Sequence, residues 1–135
     1  MQIEGVKIIN LPKIEDPRGN LSFVEEYKHI PFKIERSYWI YDVPGGQMRG
    51  GHAFIKQEEF IIAISGSFDV VLDDGKNKQV ISLNRSYYGL YVPSMLWRYL
   101  ENFSTNSLCL ILASTKYDVA DYVRNYESFI KLKNA

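Results

Sequence analysis

Apolar residues recur along this chain in short runs set off by polar and turn-forming residues, and that spacing is the signature of β-strands. Strands are predicted over residues 6–10, 20–25, 36–42, 59–65, 68–72, 79–83, 87–92, 97–100 and 108–113. Asp73-Asp74-Gly75, between Val70-Val71-Leu72 and Val80-Ile81, reads as a hairpin, because Gly accepts the positive φ of a tight primed turn. Pro44-Gly45-Gly46 and Pro93-Ser94 mark further corners. Only the end changes period. Residues 119–132 place Tyr122, Val123, Tyr126, Phe129 and Ile130 at helical spacing, with Asp118 able to cap the start and Lys131 and Lys133 suited to the C-terminal dipole. Many short strands followed by one helix predict an all-β jelly roll with a short C-terminal helix.

With 135 residues, the chain is read as one domain, 1–135, with a single core. Sixteen basic and sixteen acidic residues leave no net charge, so nothing in the balance favours a nucleic-acid partner. No apolar run nears the ~20 residues of a membrane span. The first residues lack the basic and apolar regions of a signal peptide, and the single cysteine, Cys109, has no intrachain partner; a cytoplasmic protein is the expectation. Cys109 itself lies in an apolar run and reads as a small buried hydrophobe.

Chemistry concentrates in Arg49-Gly50-Gly51-His52-Ala53-Phe54 and the nearby Glu58 and Glu59. Glycines leave room beside the His52 imidazole, a group whose ordinary pKa suits a general base. A carboxylate can orient the ring, and Arg49 can hold an anionic or enolate-like oxygen. His29, before Pro31, reads as solvated; with two histidines in all, no metal site is expected. Asp16-Pro17-Arg18-Gly19 offers a second Arg-Gly turn suited to gripping phosphate. Trp97-Arg98 adds a ring and a guanidinium. Trp97 fits a core position, whereas an Arg98 flanked by apolar residues is expensive to bury unpaired and is expected to face a ligand cavity.

These residues carry a resemblance. Gly46, His52, Glu59 and Gly66 have the spacing of a cupin first motif, with Phe54 where that motif has a second His. Over nearly its whole length the chain resembles the sugar-nucleotide 3,4-ketoisomerases, cupin-fold enzymes (a double-stranded β-helix) acting on TDP-4-keto-6-deoxyglucose and related to the TDP-sugar 3,5-epimerases. The matching segments are Asp16 to Gly19, Ile30-Pro31-Phe32, Ile34-Glu35-Arg36, Arg49 to His52, Ser65-Gly66-Ser67 and Leu72 to Gly75. Further on they are Gly89-Leu90-Tyr91-Val92, Trp97, Leu112-Ala113-Ser114, Tyr117-Asp118 and Asp121-Tyr122-Val123-Arg124.

The resemblance implies a cofactor-free, metal-independent isomerase that moves a ketone from C4 to C3 through an enediol, serving deoxysugar and polysaccharide biosynthesis. It implies His52 as base, Tyr38 or Tyr41 as acid with Glu59 assisting, and Arg18, Arg49 and Lys56 on phosphate or sugar oxygens. Phe54 takes the place of the family's second His, and Trp97 and Arg98 complete the substrate site. The implied partners are a TDP-sugar substrate and a second copy of the chain, in a homodimer that exchanges the strand at residues 6–10. Three readings follow: a ketoisomerase, a related keto-sugar epimerase that works with one His, or a cupin that binds a sugar nucleotide without turnover.

Overall fold

The computed structural model describes residues 3–135. Twelve strands and one α-helix follow in chain order: β1 (Lys7–Asn10), β2 (Lys13–Ile14), β3 (Leu21–Ser22), β4 (Arg36–Tyr41), β5 (Arg49–Phe54), β6 (Glu59–Ser65), β7 (Phe68–Asp73), β8 (Lys78–Leu83), β9 (Tyr88–Val92), β10 (Trp97–Glu101), β11 (Leu108–Ala113), β12 (Tyr122–Val123) and α1 (Tyr126–Lys133). One five-stranded sheet has the order β1-β9-β6-β11-β4 and the other β12-β5-β10-β7-β8, while β2 and β3 form a small ribbon. Every pair in the two large sheets is antiparallel.

Side-chain alternation decides what lies between the sheets. Ile61 and Ala63 of β6, Cys109 and Ile111 of β11, and Leu90 and Val92 of β9 meet Val70 and Leu72 of β7, Leu83 of β8 and Leu100 of β10 in the main core. Cys109 is fully buried there, and burial pushes its thiol up to about 12, so it is inert as a nucleophile. The outer face of the first sheet is also covered: Phe60, Ile62, Tyr91 and Leu112 pack under Leu11, Ile30 and Phe32. Burial on both faces explains why β6 reads as an unbroken apolar run instead of an alternating one.

The predicted helix is shorter than 119–132. Val119–Asp121 is a single 3₁₀ turn capped by Asp118, Tyr122–Val123 is a strand, and only Tyr126–Lys133 is α-helical, with the Asn125 side chain accepting from the Ser128 N–H. Residues 122–123 are drawn into the sheet by their pairing with β5, and Phe129 then docks on Ala53 and Val123. The strand expected at 20–25 contracts to Leu21–Ser22, paired with β2. The strand expected over 6–10 forms as β1, on the edge of its own chain's sheet beside β9. Among the described residues, no helix is long and apolar enough to cross a membrane.

Candidate active site

β5 carries almost no apolar alternation, because Gly50 and His52 face a cavity instead of a core. Phe54, expected against substrate, lies outside the cavity wall, buried against His52 and Tyr122. Gly50, His52 and Phe54 point inward, whereas Ala53 packs outward against Val123 and Phe129. β10 lies beside it with Arg98 directly opposite His52, and β12 lies on the other side with Tyr122 opposite Phe54. Tyr38 and Ile40 face them from β4 across a cavity of about 490 Å³, whose wall also includes Trp39, Met48, Arg49, Gly51 and Arg124.

A buried ion pair forms the floor. Arg98 is 1 % exposed and Glu59 is 1 % exposed, which only full pairing makes tolerable. The guanidinium donates from Nε to Glu59 Oε1 at 2.8 Å and from Nη2 to Oε2 at 2.9 Å, a bidentate clamp. Its Nη2 also donates to the Tyr38 hydroxyl at 3.0 Å, and Nη1 donates to the Gly50 carbonyl at 3.3 Å. Tyr38 passes its own proton toward Glu59 Oε2, which also accepts from Gln57 Nε2 at 3.1 Å. Burial, the largest influence on Arg98, disfavours its charge; Glu59 and Tyr38 outweigh it, and the guanidinium holds its proton more tightly than usual. Burial and the Glu59 charge hold the Tyr38 proton well above the ordinary phenol range, with Arg98 opposing them.

Gly50 makes this arrangement possible. Its φ is +73°, and a Cβ there would collide with Arg98 Nη1. A larger residue would displace the guanidinium that spans β5 and β6.

His52 stands above this floor, 8 % exposed. Phe54 packs edge-on against it at 4.7 Å between ring centroids and Tyr122 at 5.0 Å, and Phe54 and Tyr122 meet at 4.6 Å. Its Nε2 is buried with no hydrogen-bond partner among the described residues. Burial, then the charges of Arg98 and Arg124, push its pKa down to about 3, so the imidazole is neutral at pH 7 and able to accept a proton. A stability consequence follows. In the unfolded chain this His protonates near 6.5, whereas in the fold it resists until about 3. The unfolded state therefore binds the extra proton between these values, and stability falls as pH drops through that window. Urea titrations at pH 7.5 and 5 should show wild-type losing up to about 2 kcal/mol more than His52→Asn over this interval; equal losses would refute the assignment.

The other expected site residues lie elsewhere in the chain. Arg18 sits on the β2–β3 turn with its side chain 90 % exposed and bound to Asp16 at 2.9 Å, outside the cavity wall. Lys56 is exposed, and its backbone N–H donates to Asp121 Oδ1 at 2.7 Å. Trp97 alternates with Arg98 and so points to the opposite face of β10, against Tyr126 and Phe129. Tyr41 is 60 % exposed on the outer face of β4, so of the two tyrosines named as acids only Tyr38 reaches the cavity. His29 accepts the Glu25 N–H at Nδ1 (2.8 Å) and meets the Phe23 ring edge-on. Tyr122 and Arg124, to which sequence analysis assigned no role, line the cavity beside His52, with the Arg124 guanidinium 4.4 Å over the Tyr122 ring. Reading 119–132 as one helix hid them; the strand that carries Tyr122, with Arg124 just after its end, is two residues long and is specified by its partner.

Residues 4–134 match the FdtA family (WxcM-like, C-terminal). The chain belongs to that family. Its FdtA relatives include a TDP-4-oxo-6-deoxy-α-D-glucose-3,4-oxoisomerase of Aneurinibacillus thermoaerophilus, 44 % identical over 125 residues that span 93 % of this chain and 90 % of the relative. The TDP-quinovose 3,4-ketoisomerase WlaRB of Campylobacter jejuni is 45 % identical, with a TM-score of 0.91 over 96 % of this chain and 99 % of that one. QdtA, a sugar 3,4-ketoisomerase of Thermoanaerobacterium thermosaccharolyticum solved with TDP, is 33 % identical with a TM-score of 0.96, covering 98 % and 97 % of the two chains. The cupin architecture expected from the sequence is thus the fold of this FdtA member, and the three relatives are named as sugar 3,4-ketoisomerases or oxoisomerases.

Proposed function

We propose that this protein is a 3,4-ketoisomerase of a TDP-4-keto-6-deoxyhexose. The observation that carries the reading is a buried, neutral His52 facing a cavity floored by a fixed cation, in a chain whose like-sized relatives are ketoisomerases. His52 removes the proton at C3. The electron pair left behind forms the enediolate, whose oxygens gain negative charge next to Arg98 and the Tyr38 hydroxyl. Because Glu59 grips two guanidinium nitrogens, Arg98 need not reorganise as that charge develops. Arg49 and Arg124 at the mouth suit the diphosphate, and the half-exposed Trp39 ring offers the base a stacking surface.

Proton NMR of TDP-4-keto-6-deoxyglucose with the protein in deuterium oxide tests this. Loss of the C3 proton signal together with a 3-keto product is expected. Exchange at C5 without ketone migration would make the protein an epimerase, and line broadening of thymidine signals without any exchange would leave it a binding protein.

A homodimer exchanging β1 belongs to the same reading. It would preserve the Lys7↔Tyr91 to Asn10↔Tyr88 register between subunits and carry the Arg18 turn toward a second cavity. A mass of one chain, 15.7 kDa, by light scattering would refute it.

A further inference from the structure

Ketone migration needs a proton removed at C3 and another delivered at C4, and the cavity holds one imidazole for both. Position 54, the next inward-facing position on β5, holds a phenyl ring that carries no proton. Tyr38 is poorly placed to be the donor: its hydroxyl hydrogen is directed at Glu59, its oxygen accepts from Arg98, and burial raises the cost of its phenolate. Tyr122 is placed differently. It is opposite Phe54 in the β5–β12 register, it lines the cavity, and it stands 5.0 Å from the His52 ring while taking no part in the Glu59–Arg98 bonds. Arg124 over its ring places a positive charge where a transient phenolate would form.

We infer that Tyr122 is the proton donor to C4, standing in from the neighbouring strand for an imidazole absent at position 54. This rests on the ketoisomerase reading above. His52 takes the C3 proton, the C3–H pair becomes the C3–C4 double bond, and the ketone π pair moves onto O4. O4 gains a proton as O3 loses one. The O3 pair then closes the new ketone, and the C3–C4 pair takes the Tyr122 hydroxyl proton at C4. Water reprotonates the phenolate and removes the proton held by His52, so each group returns to its starting state.

The test uses Tyr122→Phe, which keeps the ring against His52 and Phe54. In deuterium oxide, exchange of the C3 proton should persist within about threefold of wild type, which also reports an intact fold, while formation of the 3-keto product falls at least about 100-fold. Adding Phe54→His to Tyr122→Phe should restore at least about tenfold of the lost rate, because an imidazole at 54 occupies the cross-strand neighbour of the missing hydroxyl. Product formation by Tyr122→Phe at the wild-type rate would overturn the inference. So would parallel loss of exchange and turnover, a double variant no better than Tyr122→Phe, or a C3 deuterium recovered at C4 of the product in ordinary water. Wild-type protein that exchanges nothing at C3 would instead remove the ketoisomerase reading, and the inference with it.

Discussion

Replacing His52 by Asn lowers kcat/KM for ketone migration by about 10²–10⁴-fold and abolishes C3 exchange, while affinity for TDP stays within about threefold. Asn is smaller than His and fits the space between the Phe54 and Tyr122 rings. It removes the buried His52 Nε2, which has no hydrogen-bond partner among the described residues. Steady-state kinetics combined with calorimetric titration of TDP separate the two effects. Affinity is expected to survive because Arg49 and Arg124, the charges at the cavity mouth, are untouched. A His52→Asn protein that still exchanges C3 would mean that another group is the base.

Arg98→Met should be the most destabilising single change at the site. It leaves Glu59 buried with its charge uncompensated, a loss of about 3–5 kcal/mol. Glu59→Met leaves Arg98 equally stranded and should cost a similar amount, roughly 10 °C or more in Tm for a chain of this size. The double variant should recover much of that loss, because paired apolar side chains of similar volume fill the space without a desolvated charge. Thermal unfolding of the four proteins completes the cycle. A coupling near zero would show that the clamp is not the element joining β6 to β10. Catalysis should not recover in the double variant, because the fixed cation beside the reacting oxygens is gone even where stability returns.

The fold and the site were legible to different depths, for physical reasons. Strand positions such as Glu59–Ser65 and Leu108–Ala113 are local: each run is apolar enough to be buried wherever its partner lies. β5 is harder to see. Its inward positions are Gly50 and His52, which line the cavity, and Phe54, which packs on the His52 ring, so neither strand nor helix period appears. Arg98 could be marked from its apolar neighbours, because a charge there must have a partner. That the partner is Glu59, 39 positions earlier, is a matter of which strands lie side by side. Residue type alone does not place a side chain. Arg18, Lys56 and Trp97 have the chemistry of a sugar-nucleotide site, yet in this chain a turn, an exposed loop and the outward phase of β10 hold them away from the cavity.

By itself the sequence determined the all-β character, the apolar core runs, the helix-forming end, the family and the placement of one imidazole after a glycine pair. Those properties depend on local period, composition and ordered motifs. Tertiary structure alone decided that Glu59 and Arg98 meet, that His52 is stripped of water until its pKa falls to about 3, and that Tyr122 stands beside it. Each of these depends on antiparallel register between segments far apart in the chain, and a cavity's electrostatics come from what register brings together.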